Sequence, residues 1–162
     1  PYERVFFGGT VILCITLLLG TTRYSGTGIE VIVSAIGGTA RNTDFFWKML
    51  FTAITLACGY KGGEIIPSFF VGATFGCVIA PVLGLSSSLG AAIGMVSVFC
   101  GVTNCPIASL LIALELFGKV PILYFLLAIA ISYMLSGYYS LYKTQIIAVS
   151  KYKNEYVDKK TH

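Results

Sequence analysis

The stretch that most constrains this chain is Gly59-Tyr60-Lys61-Gly62-Gly63-Glu64-Ile65-Ile66-Pro67-Ser68-Phe69-Phe70. Its three glycines, one proline and one carboxylate interrupt long apolar sequence, and the run from Val71 through Ala80 has helical composition. Glycines before and a proline just inside describe a helix that begins abruptly, with its first amides exposed. Inside a membrane, such a start offers unpaired N–H groups and the positive end of the helix dipole to an anion. Transport proteins use that arrangement.

The surroundings demand a membrane. Only 11% of the 162 residues are charged, 56% are hydrophobic and the mean hydropathy is +0.85. An ordinary soluble domain carries about 25% charge. The chain begins at Pro1, almost directly in an apolar helix, and is read as a piece of a larger protein. No basic region precedes a short apolar core with a cleavage site, so no secretory signal is recognised. The net charge of +4 comes largely from Lys143, Lys151, Lys153, Lys159 and Lys160 at the end of the chain. A basic tail of this kind predicts a cytoplasmic C-terminus, either disordered and solvated or touching anionic lipid. Nothing else supports nucleic-acid binding. The five cysteines form no C-x-x-C pair and the only histidine is His162, which excludes a metal centre or thiol catalysis and leaves the cysteines as small packing residues.

Along the chain, apolar segments alternate with Gly, Pro, Ser and Asn. Val5 to Leu19 reads as a membrane helix; Ile29 to Ile36, after the Tyr24-Ser25-Gly26-Thr27-Gly28 turn, is too short to span. A polar link ends in Asp44 as a helix cap, and in the helix after it Trp47 and Lys48 suit an interfacial position, with the lysine snorkelling. Further helices are predicted from Ile65 to Ala80, Leu89 to Val102, Ile107 to Phe117 and Ile122 to Leu135, with a last one from about Tyr139. Most of these fall short of the roughly 20 residues that cross a bilayer. Short, broken helices at membrane depth must line a cavity or pack within protein. The predicted class is therefore an all-α membrane domain over residues 1–149, with a basic, disordered tail over 150–162. Gly72-x-x-x-Gly76 and Gly90-x-x-x-Gly94 place small residues on one face of each helix for close approach. No glycine-rich stretch has P-loop spacing.

Glu64 and Glu115 are the ionisable residues expected at membrane depth, where charge marks function by default. Glu115, near a helix end, suits a structural hydrogen-bonding role. Glu64 precedes the exposed amides: ionised, it competes with an anion; protonated, it adds a donor. Burial raises its affinity for a proton and the amides lower it; simple capping is the structural alternative. Tyr139 is either an interfacial aromatic or a hydroxyl donor to an anion.

These residues carry a resemblance. Gly62-Gly63-Glu64-Ile65-Ile66-Pro67, followed by Ser68 and Gly72, resembles the G-G-x-F-x-P motif of the CLC anion channels and transporters. Ser25-Gly26-Thr27-Gly28, Thr103-Asn104-Cys105-Pro106 leading to Leu114-Glu115, and Tyr139-Ser140 support it in order and spacing. The resemblance implies the C-terminal half of a CLC membrane domain, one of two inverted repeats, in a homodimer with one anion pathway per subunit. It implies that the amides of Glu64 and Ile65 form the central anion-binding pair and that the Tyr139 hydroxyl coordinates the same anion. It also implies dimer-interface helices from Val5 to Leu19, Ile107 to Phe117 and Ile122 to Leu135. The family usually has an apolar residue at Glu64 and Phe at Ile65; a glutamate there resembles the bacterial fluoride/proton antiporter branch, with its G-G-E-x-x-P pattern. Fluoride is small and strongly hydrated, so it needs strong donors. The family's gating glutamate and first anion-binding loop lie outside this sequence.

The expected function is thus fluoride export coupled to proton import across the cell membrane by the parent protein, with Glu64 on the proton or gating route. A chloride channel or chloride/proton antiporter is the near alternative, and a non-transporting membrane scaffold the distant one. Halide, protons, lipid and a second copy are the expected partners; no enzyme activity, cofactor or metal is expected.

Overall fold

The structure is a computed structural model that describes residues 2–60, 62–118, 121–142, 144–153 and 155–161. Lys61 of the glycine-rich stretch, Lys119 and Val120 of the break before the seventh helix, Lys143 and His162 lie outside the described residues. The elements are α1 (Tyr2–Leu19), α2 (Ile29–Ile36), α3 (Asp44–Ala57), α4 (Ile65–Ile79), α5 (Ser87–Thr103), α6 (Pro106–Phe117), α7 (Ile122–Leu135), β1 (Ile146–Val149) and β2 (Tyr156–Lys160). A 3-10 turn, Ala80–Leu83, prolongs α4. Together they make the 19-residue stretch Ile65–Leu83, the one helix among the described residues long and apolar enough to cross a bilayer.

Local chemistry sets the breaks. Gly84, at φ +73°, ends the 3-10 turn, and Ser86 caps α5 by accepting from the Leu89 amide at 3.4 Å. Asn104 closes α5 in the left-handed conformation, φ 58°, and Pro106 opens α6 where its missing N–H costs nothing.

The centre is the α4–α5 seam, where the two small-residue pairs meet face to face. A Cβ on Gly72 would lie 2.5 Å from the Gly94 carbonyl oxygen, and one on Gly76 would overlap the Gly90 carbonyl. Only glycine lets the two backbones come this close. From that seam α5 turns one side to α2 and α4, through Ala35, Ala73, Cys77, Ala91 and Met95. Its other side packs Val96 and Cys100 against Ala113, Phe125 and Ile129 of α6 and α7. Cys77 and Cys100 are buried there as apolar packing residues. The outer faces of α1 and α7 are strongly apolar, with Phe6, Leu17, Leu18, Leu123 and Leu135 all exposed.

Three local expectations are corrected. Asp44 does not cap α3: the helix starts on it, Thr43 holds the cap position without a side-chain bond, and the carboxylate is fully buried. No helix begins at Tyr139. Instead, Gly137 turns at φ 59° and the following strand of backbone is strapped to the end of α5, with the Leu141 amide donating to the Val102 carbonyl at 2.8 Å. The Ser140 hydroxyl donates to the Thr103 carbonyl at 3.1 Å. Those two bonds tie the segment to the end of α5. Finally, where a disordered tail is expected, β2 pairs antiparallel with β1, Ile146 opposite Lys160 and Val149 opposite Tyr156. The β-branched Ile146, Ile147 and Val149 favour a strand over the helix drawn from apolarity alone.

Candidate functional site

The site is built on the start of α4. Gly59, at φ +87°, closes α3, with its amide donating to Leu56 and that of Tyr60 to Thr55. Gly62 and Gly63 then cross to Glu64, which takes the N-cap position without a side-chain capping bond. The Glu64 carbonyl accepts from the Ser68 amide at 3.2 Å and the Ser68 hydroxyl at 2.8 Å. Among the described residues the amides of Glu64, Ile65 and Ile66 meet no acceptor, and Pro67, the third helical residue, has no N–H to offer. An open helix terminus results.

That terminus borders two cavities. A cavity of about 260 Å³ is lined by Tyr24, Gly26, Lys48, Gly62, Gly63, Glu64 and Pro67, among others. A second, of about 340 Å³ and mostly apolar, is lined by Val98, Val102 and Leu141 and again by Glu64 and Pro67. The half-buried Glu64 therefore lines both cavities, the first of them the less apolar.

The polar wall comes from α3. Asp44, one turn before Lys48, accepts from the Tyr24 hydroxyl at 2.7 Å and pairs with Arg23 at 3.2 Å. Those bonds hold the turn 23–28 against α3. Gly28 sits there at φ +73°, where a Cβ would come within 2.6 Å of the Phe70 ring. The turn delivers two carbonyls to Lys48, whose ammonium donates to Gly26 at 2.5 Å and Tyr24 at 3.2 Å and lies 5.2 Å from the Phe70 ring centroid.

Lys48 is not interfacial: it is 3% exposed. A snorkelling lysine needs a path to water, and here the 23–28 turn closes that path. The signal was in the spacing. Asp44, Lys48, Thr52 and Thr55 fall four, four and three residues apart, a polar stripe down one face of α3, and the last three line the 260 Å³ cavity.

The other sequence-predicted residues separate into those at the site and those away from it. Gly62, Gly63, Glu64 and Pro67 come together, with Ile65 next to them in the first turn of α4. Tyr139 does not join them. Its side chain is 70% exposed, it lines neither cavity, and its carbonyl accepts from the Asn104 side chain at 3.2 Å. Glu115 faces outward on α6. Among the described residues no cluster of His, Cys, Asp and Glu could hold a metal.

The chain is similar to several known proteins. Residues 1–137 match the model of the voltage gated chloride channel family. A chloride/fluoride channel protein of Pseudomonas syringae pv. tomato is 37% identical over 155 residues, covering 92% of this chain and 34% of that protein. An uncharacterised protein of Methanocaldococcus jannaschii is 30% identical over 71 residues, 44% of this chain and 18% of its own length. Among solved structures, the crystal structure of a CLC-type fluoride/proton antiporter is similar, with a TM-score of 0.81 at 32% identity over 85% of this chain and 35% of that one. The chain thus spans about a third of the length of the curated chloride/fluoride channel protein and of the antiporter structure.

Proposed function

This chain belongs to the voltage-gated chloride channel family, whose members are integral membrane channels and transporters rather than enzymes, and on that premise we propose that the protein carrying it exports fluoride in exchange for protons. The observation that carries the reading is Glu64, a titratable carboxyl at the open start of α4 and on the border of two cavities. The amides of Glu64 and Ile65 are the proposed anion donors, aided by the positive end of the helix. Gly62 and Gly63, without side chains, leave the backbone open to a small ion. Strong, converging N–H donors replace the tightly held water of fluoride better than they serve a larger halide.

Glu64 links the two ions. Ionised, its carboxylate repels an anion from the same amides; protonated, it frees them and adds an O–H donor. Proton arrival at Glu64 and anion binding beside it therefore favour each other, which couples the two ions. The apolar outer faces of α1, α6 and α7 are proposed to meet lipid and a second copy of the protein, giving a homodimer. The lysine-rich end is proposed to face the cytoplasm.

The test is ion flux from proteoliposomes of the full-length protein. Fluoride efflux is expected to exceed chloride efflux and to make the external medium alkaline as protons enter. Chloride efflux equal to fluoride efflux would replace this reading with a chloride channel or chloride/proton antiporter, and no flux of either would favour a scaffold.

A further inference from the structure

We propose that Lys48 is a fixed positive charge of the anion pathway that sets the affinity for fluoride. The inference rests on the anion-transport reading and adds a binding residue to it. A buried ammonium is costly unless a charge offsets it. Among the described residues the one ion pair is Arg23–Asp44, so Lys48 has no carboxylate of its own. Two carbonyls and the Phe70 ring satisfy its hydrogen bonds and part of its field, but none of them carries a negative charge. The remaining candidate lies across the cavity: Glu64 lines the same 260 Å³ space.

That pairing fits the exchange of ions. With Glu64 ionised, the cavity holds one cation and one anion, Lys48 and Glu64. When a proton neutralises Glu64, Lys48 is left without a counter-charge, and an anion entering beside the α4 amides restores it. Both states are neutral in a low-dielectric space, where an unbalanced charge is most expensive. Lys48 thus makes the loss of the Glu64 charge and the gain of an anion parts of one step.

The bland alternative is a strut, with Lys48 doing no more than tie the Tyr24–Gly26 carbonyls to α3. Lys48→Gln separates the two, because the amide still donates to a carbonyl but carries no charge. Fluoride efflux from proteoliposomes of the full-length protein is measured against internal fluoride for wild type, K48Q and K48R. K48Q is expected to raise KM for fluoride on the order of tenfold, and K48R to hold it within about threefold of wild type, as loss and retention of one nearby charge require. A K48Q KM equal to wild type, or a fall in kcat alone, overturns the role of Lys48 while leaving anion transport standing. Wild type moving neither fluoride nor chloride overturns the transport reading itself.

Should K48Q not fold, Lys48→His provides the same test, since imidazole loses its charge between about pH 5 and 8. The cavity also holds Glu64, Tyr24 and Tyr60, with Asp44 and Arg23 bonded behind Tyr24, so each KM is divided by the wild-type value at the same pH. That ratio is expected to climb with pH. A flat ratio overturns the proposal.

Discussion

At the carboxyl end of α7, the Tyr133 carbonyl, the Ser136 hydroxyl and the Asn104 side-chain oxygen converge on the Lys151 ammonium at 2.6, 3.0 and 2.6 Å, and the Tyr133 ring stacks on it at 3.8 Å. At the amino end of α4, three amides meet no acceptor among the described residues, and Glu64, the first of them, lines a cavity. Both are helix ends inside an apolar domain, and the dipole asks for a cation at the first and an anion at the second. The chain supplies the cation itself, from its own tail, and ties the ends of α5 and α7 together with it. At α4 it supplies a carboxyl that can be neutralised, and space. A terminus finished by the protein is structure; the one left open beside a carboxyl is the proposed site.

The contrast depends on α4 and α5 being locked together, so breaking that lock should have the largest effect. Gly76→Val drives a side chain into the Gly90 carbonyl; with no room to shift, a loss of about 3 kcal/mol or more is expected. Thermal unfolding in detergent measures it, and both helix ends should fail together. Lys151→Met comes next. It strands three acceptors, for an expected loss of about 2 to 3 kcal/mol, while KM for fluoride stays at the wild-type value. A shift in KM would mean that the two ends are not separate.

Lys151 also has a pH signature. Burial lowers the affinity of its amine for a proton below the ordinary lysine value of 10.5. In the window between that lowered value and 10.5 the unfolded chain binds more protons than the folded one, so stability should rise with pH there. Unfolding followed up to pH 10.5 should show the rise in wild type and its absence in K151M.

The sequence revealed the open end better than the closed one. Glycine and proline act locally, so Gly62, Gly63 and Pro67 announce the α4 start without knowledge of the fold. The α4–α5 seam was equally legible, since spacing of four places small residues on one face wherever the helix packs. Lys151 was not. Its partners lie 15, 18 and 47 residues away, and in a lysine-rich tail it looks like any solvated charge. Lys48 was misplaced for a related reason: its burial is decided by the 23–28 turn, 22 residues upstream. The strand pairing of the tail was hidden too, because Ile146, Ile147 and Val149 are apolar enough to pass for a helix end.

A smaller and sharper change is Glu64→Gln. The amides of Glu64 and Ile65 are backbone and survive it, so fluoride should still bind. What disappears is the proposed proton carrier, and proton uptake per fluoride should fall about tenfold, a common size for coupling between two linked ligands. Paired fluoride-electrode and pH-electrode traces read the ratio directly. If proton uptake per fluoride is unchanged, Glu64 does not link the two ions, and the open end of α4 loses its proposed partner.

Tyr139→Phe should do least. Tyr139 is exposed and lines neither cavity, while the Asn104 side chain donates to its carbonyl, which phenylalanine keeps. A change in fluoride KM of less than about twofold is expected, as for surface sites with no buried partner. Resemblance to the family assigns that hydroxyl to the anion, and then its removal would cost a hydrogen bond to a charged ion, about 1.5 to 3 kcal/mol or roughly tenfold and upward in KM. The two predictions differ enough for one titration to separate them. A tenfold loss would mean that the segment strapped to α5 leaves it during transport and carries Tyr139 to the α4 terminus, so that the closed end of the molecule opens whenever the open end is filled.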